Sequence, residues 1–169
     1  ILDKAMPYIT MLGDAGIFWM IWATLLLFLP KHRRTGLGMW FALALGLLIC
    51  NITLKPLVGR FRPYDLQLQE FGITIQLLGE RMHDFSFPSG HTIASFEACT
   101  VLMLGNRKFG IPATVLAILV AFSRLYLYLH YPTDVIASII LGTAFGFLGY
   151  ALAQKCNLNN PFAKGKYQK

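Results

Sequence analysis

Three short polar islands interrupt an otherwise apolar chain, and their side chains suit the transfer of a phosphoryl group. The first is Lys55 with Arg62-Pro63. The second is Pro88-Ser89-Gly90-His91. The third is Ser123-Arg124, followed by His130 and Asp134. Arginine offers a planar fork to two oxygens and lysine a point charge, so Lys55, Arg62 and Arg124 are candidate ligands of a phosphate. A single Lys or Arg at the end of an apolar span is ordinarily a snorkelling side chain. Three of them on one face, beside two histidines, form an anion site. Arg60 is expected to be solvated or to face lipid.

Gly90 lets the backbone approach an anion closely, and amides at a helix amino terminus favour negative charge. Ser89 can cap that helix or donate its hydroxyl to phosphate. Taken alone, this is a helix-start signal. His91 sharpens it, because a histidine at the mouth of an anion site can protonate a departing alkoxide. In the third island, Pro132 starts a helix between His130 and Asp134. Asp134 can then accept a hydrogen bond from His130, hold one tautomer and free the other ring nitrogen for attack.

The elements that must position these islands belong to a membrane. Of 169 residues, 56% are hydrophobic and 14% charged, against about a quarter charged in a soluble domain. The formal charge of +7 is spread between apolar spans, which argues for membrane orientation rather than nucleic acid. Uncharged stretches run from Ala15 to Pro30, Thr35 to Leu54, Thr92 to Asn106 (broken by Glu97), Phe109 to Ser123 and Val135 to Gln154. The expectation is one domain over residues 1–169, an all-α integral-membrane bundle of five transmembrane helices. An interfacial amphipathic helix over residues 1–14 precedes it, and a basic cytoplasmic tail over residues 155–169 follows. The chain begins at Ile1, so the native start is expected to lie upstream. The first span, followed by a basic cluster, reads as a retained helix rather than a cleaved signal peptide. The long connection from Tyr64 to Phe87 carries Ile73, Ile75, Leu77 and Leu78, which are expected to rest on the membrane surface.

Alternating five spans puts Lys31, Arg33, Arg34, Arg107, Lys108, Lys155, Lys164, Lys166 and Lys169 on one face with no acidic residue. Basic residues concentrate on the cytoplasmic side. The amino terminus and all three islands are therefore expected on the extracytoplasmic face. Because the islands punctuate spans of membrane length, the phosphate ester is expected to be a lipid. The partners are thus a lipid phosphate and the bilayer. Cys50, Cys99 and Cys156 lie far apart and are read as small buried hydrophobes, without a disulfide. No metal-ligand cluster occurs, and no cofactor is expected.

On these residues the chain resembles the type 2 phosphatidic acid phosphatase superfamily. That family shows a lysine, six residues and Arg-Pro, then Pro-Ser-Gly-His, then Ser-Arg, five residues, His, three residues and Asp. Lys55, Arg62, Pro63, Pro88, Ser89, Gly90, His91, Ser123, Arg124, His130 and Asp134 match every fixed position in order and spacing. The resemblance covers roughly residues 10–153. It implies a metal-independent phosphatase in which His130 is the nucleophile and forms a phosphohistidine, His91 is the general acid, and Asp134 orients His130. Lys55, Arg62, Ser89, Gly90 and Arg124 would hold the phosphate. The substrate implied is a polyprenyl diphosphate such as the undecaprenyl carrier, in a bacterial plasma membrane. Phosphatidic acid or phosphatidylglycerophosphate is the alternative. A non-catalytic lipid-phosphate binder is the reading from another class, and the presence of both histidines speaks against it. Glu97 stands outside the pattern. It is expected to be buried and hydrogen-bonded within the bundle, with proton supply or substrate binding as its alternative role.

Overall fold

The computed structural model describes residues 1–156. The basic tail beyond Cys156 lies outside the described residues. The elements in order are α1 (Leu2–Met11), a tight 3-10 turn (Asp14–Gly16), α2 (Ile17–Phe28), α3 (Arg33–Leu45), a π-helical continuation (Gly46–Leu54), α4 (Lys55–Val58), α5 (Pro63–Phe71), α6 (Gly90–Gly105), α7 (Arg107–Tyr126) and α8 (Pro132–Lys155). Local chemistry sets most boundaries. Pro63 and Pro132 open α5 and α8, where a missing amide proton costs nothing. Gly59 and Gly72 close α4 and α5 in the left-handed conformation. Asn106 caps α7, its side-chain oxygen accepting from the Lys108 amide at 3.0 Å.

Among the described residues, four helical stretches are long and apolar enough to cross a membrane: Leu2–Phe28, Arg33–Phe71, Arg107–Tyr126 and Pro132–Lys155. The third of the five expected spans falls short. α6 has 16 residues, about 24 Å of helix against a hydrocarbon layer of about 30 Å. Its position explains how it differs from the others. α6 packs against α7, α8 and α3, so protein rather than lipid surrounds it. It can therefore carry Ser95 and Glu97 at 0% and 1% exposure, groups that a lipid-facing helix could not hold unpaired. Ser95 accepts a hydrogen bond from the Trp19 indole at 3.1 Å. The main core gathers Trp19, Met39, Ala98, Leu102 and Ala117 around it.

Close approach of the helices depends on small residues. A Cβ added at Gly149 of α8 would lie 2.6 Å from the Ala42 amide nitrogen and the Gly38 carbonyl of α3. One added at Gly142 would lie 2.7 Å from the Ile93 carbonyl of α6. Backbones in such contact gain dispersion that larger side chains would prevent. A second, smaller core covers the end of the bundle that bears the islands. Met6 of α1, Tyr64 of α5, Leu127 and Leu129 form it, with Ile75, Leu77 and Met82 of the long connection packed on top. Ile75 and Leu77 therefore bury against protein, contrary to their expected place on the membrane surface, while Ile73 and Leu78 are exposed.

Gly149→Leu should drive α3 and α8 apart. The expected outcome is a loss of about 1–3 kcal/mol of stability, the usual cost of overpacking. It would be read as a lowered thermal midpoint in detergent, with Gly79→Leu as a control because nothing lies within 4 Å of a Cβ there.

Candidate active site

The three islands meet at one end of the bundle. Lys55, Arg62, Gly90, His91 and His130 all line a single cavity of about 330 Å³. Arg62 is the most heavily engaged of them and is 1% exposed. Its Nε donates to the Asp84 carbonyl at 2.8 Å. Nη1 donates to the Leu129 carbonyl at 2.8 Å and lies 3.3 Å from His130 Nε2. Nη2 meets the Asp84 carboxylate at 2.5 Å.

That geometry settles the state of His130. An arginine N–H can only donate, so Nε2 carries the lone pair and Nδ1 the proton. Nδ1 is buried without a hydrogen-bond partner among the described residues. The nearest carboxylate oxygen, Asp134 Oδ2, is 3.6 Å away, beyond hydrogen-bond length. Asp134 therefore flanks the imidazole on the expected side without gripping it. Burial pushes the His130 pKa down to about 3; the Asp134 carboxylate opposes the shift, and the Arg124 and Arg62 cations add to it. The ring is thus neutral and nucleophilic at ordinary pH.

Asp134 is bound elsewhere. Oδ2 accepts from the Ser86 hydroxyl at 2.5 Å and from the Tyr131 amide at 3.0 Å, which caps α8. Oδ1 meets Arg60 at 2.6 Å. Arg60, expected to be solvated or lipid-facing, also donates to Thr133 at 2.8 Å and lies 3.9 Å over the Tyr131 ring. A buried carboxylate needs a cation, and Arg60 reaches it because Gly59 turns the chain back after α4.

Arg124 of α7 is 1% exposed, and its Nη1 donates to Thr10 at 2.6 Å. Its Nε and Nη2 are buried without partners among the described residues, two donors that an oxyanion would satisfy. Ser89 is fully buried. Its amide donates to Ser138 at 2.8 Å, and its hydroxyl pairs with Thr92 at 3.0 Å. It therefore neither caps α6 nor points freely into the cavity. A Cβ added at Gly90 would lie 3.1 Å from Asn51 Oδ1. His91, at the first turn of α6, pairs through Nε2 with Asp14 Oδ1 at 2.6 Å. Glu97 lines the same cavity and is buried as expected, but its Oε1 has no hydrogen-bond partner among the described residues. Among the described residues, no group of three or more His, Cys, Asp or Glu side chains could hold a metal.

Sequence reasoning missed Asp84, Ser86, Asp14 and Thr10. Asp84 bridges Lys55 Nζ and Arg62 Nη2, each at 2.5 Å. Burial pushes its carboxyl upward, yet Lys55 and Arg62 outweigh that and hold it down to about 2. No periodicity or motif marks these residues. The only sequence signal was that acidic residues accompany the cations on the face that carries the islands.

The sequence pattern of the PAP2 superfamily matches residues 35–158. The chain is 33% identical over 148 residues to the lipid A 4'-phosphatase of Bacteroides thetaiotaomicron, covering 82% of this chain and 66% of that one. It is 30% identical to an undecaprenyl-diphosphatase of Sulfolobus acidocaldarius, covering 87% and 68%. It thus spans about two thirds of the length of these curated relatives. The solved structure of a transmembrane PAP2-type phosphatidylglycerolphosphate phosphatase from Bacillus subtilis superimposes with a TM-score of 0.70 at 27% identity, over 94% of this chain and 80% of that one.

Any oxyanion held between Lys55 and Arg62 must displace the Asp84 carboxylate, which remains ionised from pH 8 to below pH 4. Asp84→Asn should therefore tighten binding of orthovanadate roughly fivefold, the weight of two partly screened ion pairs of about 0.5 kcal/mol each. Calorimetric titration in detergent measures it.

Proposed function

The chain belongs to the PAP2 superfamily, and from that premise we propose that it is an integral-membrane phosphatase that hydrolyses a lipid phosphate through a phosphohistidine. The observation that carries this reading is a neutral His130 ringed by Arg62, Arg124 and Lys55, with two donors of Arg124 unsatisfied. His130 Nε2 attacks phosphorus. As the N–P bond forms, the bond to the lipid oxygen breaks, and His91 gives that oxygen a proton. Arg62, Arg124, Lys55 and the amides of the first turn of α6 from Gly90 onward bear the growing charge on the phosphoryl oxygens. Asp134 stabilises the Nδ1 proton of the cationic phosphohistidine. Water then attacks phosphorus and yields its proton to His91. The N–P electrons return to His130, and inorganic phosphate leaves. Cations and amides suffice for this charge, so no metal is required.

A polyprenyl diphosphate such as undecaprenyl diphosphate is the preferred substrate, supported by the named relative and by the outer-face chemistry that the charge pattern implies. Phosphatidylglycerophosphate or phosphatidic acid is the second reading, supported by the structural relative that covers nearly the whole chain. We further assign α2, α3, α6, α7 and α8 as five spans, with residues 1–14 lying on the outer surface. Exposed Tyr8, Met11 and Leu12 suit that interface. Residues 1–169 then form one domain.

A phosphate-release panel with undecaprenyl diphosphate, phosphatidic acid and phosphatidylglycerophosphate tests the activity. Turnover should persist in excess chelator and stop with vanadate, whereas strict dependence on a divalent cation would sink the mechanism. His130→Ala should be inactive on every substrate. His91→Ala should lose about 10²–10⁴-fold on lipid substrates and recover part of that on an aryl phosphate, whose leaving oxygen needs little protonation.

Orientation is tested by labelling single cysteines in intact cells with an impermeant reagent, in a background without native cysteines. A cysteine in the 72–87 connection should react, and one after Lys155 should be protected. The reverse pattern would overturn the outer-face assignment.

A further inference from the structure

The segment before the first long helix reaches into the catalytic cavity, although it lies outside the stretch matched to the family. Gly13, Ala15 and Gly16 line that cavity. Asp14 of the same turn meets His91 Nε2 at 2.6 Å. The turn is shaped for this contact. Ala15 and Gly16 both take left-handed backbone conformations, at φ 47° and 68°, which kinks the chain between α1 and α2. Gly13 lies directly on the imidazole. A Cβ there would fall 2.9 Å from His91 Cδ2 and 3.2 Å from its Cβ. Three residues earlier, Thr10 accepts from Arg124 at 2.6 Å, so the same segment touches a second residue of the site.

We propose that Asp14 is the positioning residue for the general acid: its carboxylate fixes the His91 ring and stabilises the charged imidazolium that protonates the leaving lipid oxygen. The proposal rests on the assignment of His91 as general acid. Its chemistry is that of a carboxylate–histidine pair. Asp14 holds Nε2, and no hydrogen bond engages Nδ1 among the described residues, so Nδ1 is the nitrogen that passes the proton to the lipid oxygen and recovers it from water. The charged groups around the cavity make such a partner necessary. Arg124 from α7 and Lys55 from α4 oppose a positive charge on His91, and Arg62, just before α5, lines the same cavity. His130 stands across the cavity. Asp84 is spent on Lys55 and Arg62, and Glu97 lies at the far end of the cavity on α6 itself. Asp14 is the carboxylate in contact with the ring. Without it those cations act on the ring unopposed, and a neutral imidazole is a poor acid toward an alkoxide.

The test compares Asp14→Asn, Asp14→Glu and His91→Ala with the unaltered protein, on one lipid phosphate and one aryl phosphate, across pH 5–9. Orthovanadate titration provides a check that the folded site survives. Asp14→Asn should lower kcat on the lipid substrate about 10- to 100-fold, with a much smaller loss on the aryl phosphate. It should also move the alkaline limb of the kcat profile to lower pH by about one unit, because the acid then loses its proton earlier. Asp14→Glu should restore part of both. Equal losses on the two substrates with an unmoved alkaline limb would overturn the proposal, as would unchanged kinetics. The outcome for His91→Ala separates the two levels. If that variant spares the aryl substrate and Asp14→Asn does not, the positioning role is wrong and the general acid stands. If His91→Ala loses both substrates alike, the general-acid assignment itself falls.

Discussion

Burial of the Arg62 guanidinium is the constraint on which the rest of the site depends. A charge at 1% exposure is costly to bury unless its donors find partners. Arg62 meets that demand by binding three places at once: the Asp84 carbonyl and carboxylate, the Leu129 carbonyl and the His130 ring. One side chain thereby ties the start of α5, the end of the long connection and the α7–α8 junction into a single knot. The same three segments are tied again through Asp134, which takes Arg60 from the first, Ser86 from the second and the Tyr131 amide from the third.

The helices answer a different demand. In hydrocarbon, every backbone group must be satisfied internally, and polar side chains are tolerated only where protein surrounds them. α6 occupies that sheltered position, and this is why the helix that carries His91 also carries Ser95 and Glu97. The glycines of α8 permit the shelter, because only a bare backbone lets α3 and α6 approach so closely. Packing of small residues deep in the bundle and polar chemistry at one end of it are consequently parts of one arrangement. α6 presents its amino terminus to the cavity because its flanks are sealed by close-packed neighbours.

The site is also closed from the amino-terminal side. Met6 enters the small core above the bundle, Thr10 reaches Arg124, and Asp14 reaches His91. The amphipathic character of residues 1–14 thus has two uses. One face is apolar and exposed, as an interfacial helix requires, and the other completes a polar cavity. Spacing and periodicity could reveal the first use but not the second.

The sequence by itself determined the all-helical class, the membrane setting and the convergence of three polar islands at one end of the bundle. Hydropathy over a span, proline and glycine at helix ends and the fixed spacing of Lys55, Arg62, His91, Arg124, His130 and Asp134 are local properties, legible along the chain. The tertiary structure decided how those charges are paired. Asp84 bridges Lys55 and Arg62 across 29 and 22 residues, Asp14 reaches His91 across 77, and Arg60 leaves its expected surface place for Asp134 across 74. Ser89 proved to be consumed by Ser138 and Thr92, and α6, at 16 residues, proved shorter than the four long apolar stretches. The physical reason is the same in each case. A buried charge or polar group selects its partner by distance after folding, and nothing in the neighbouring sequence encodes which distant side chain will arrive there.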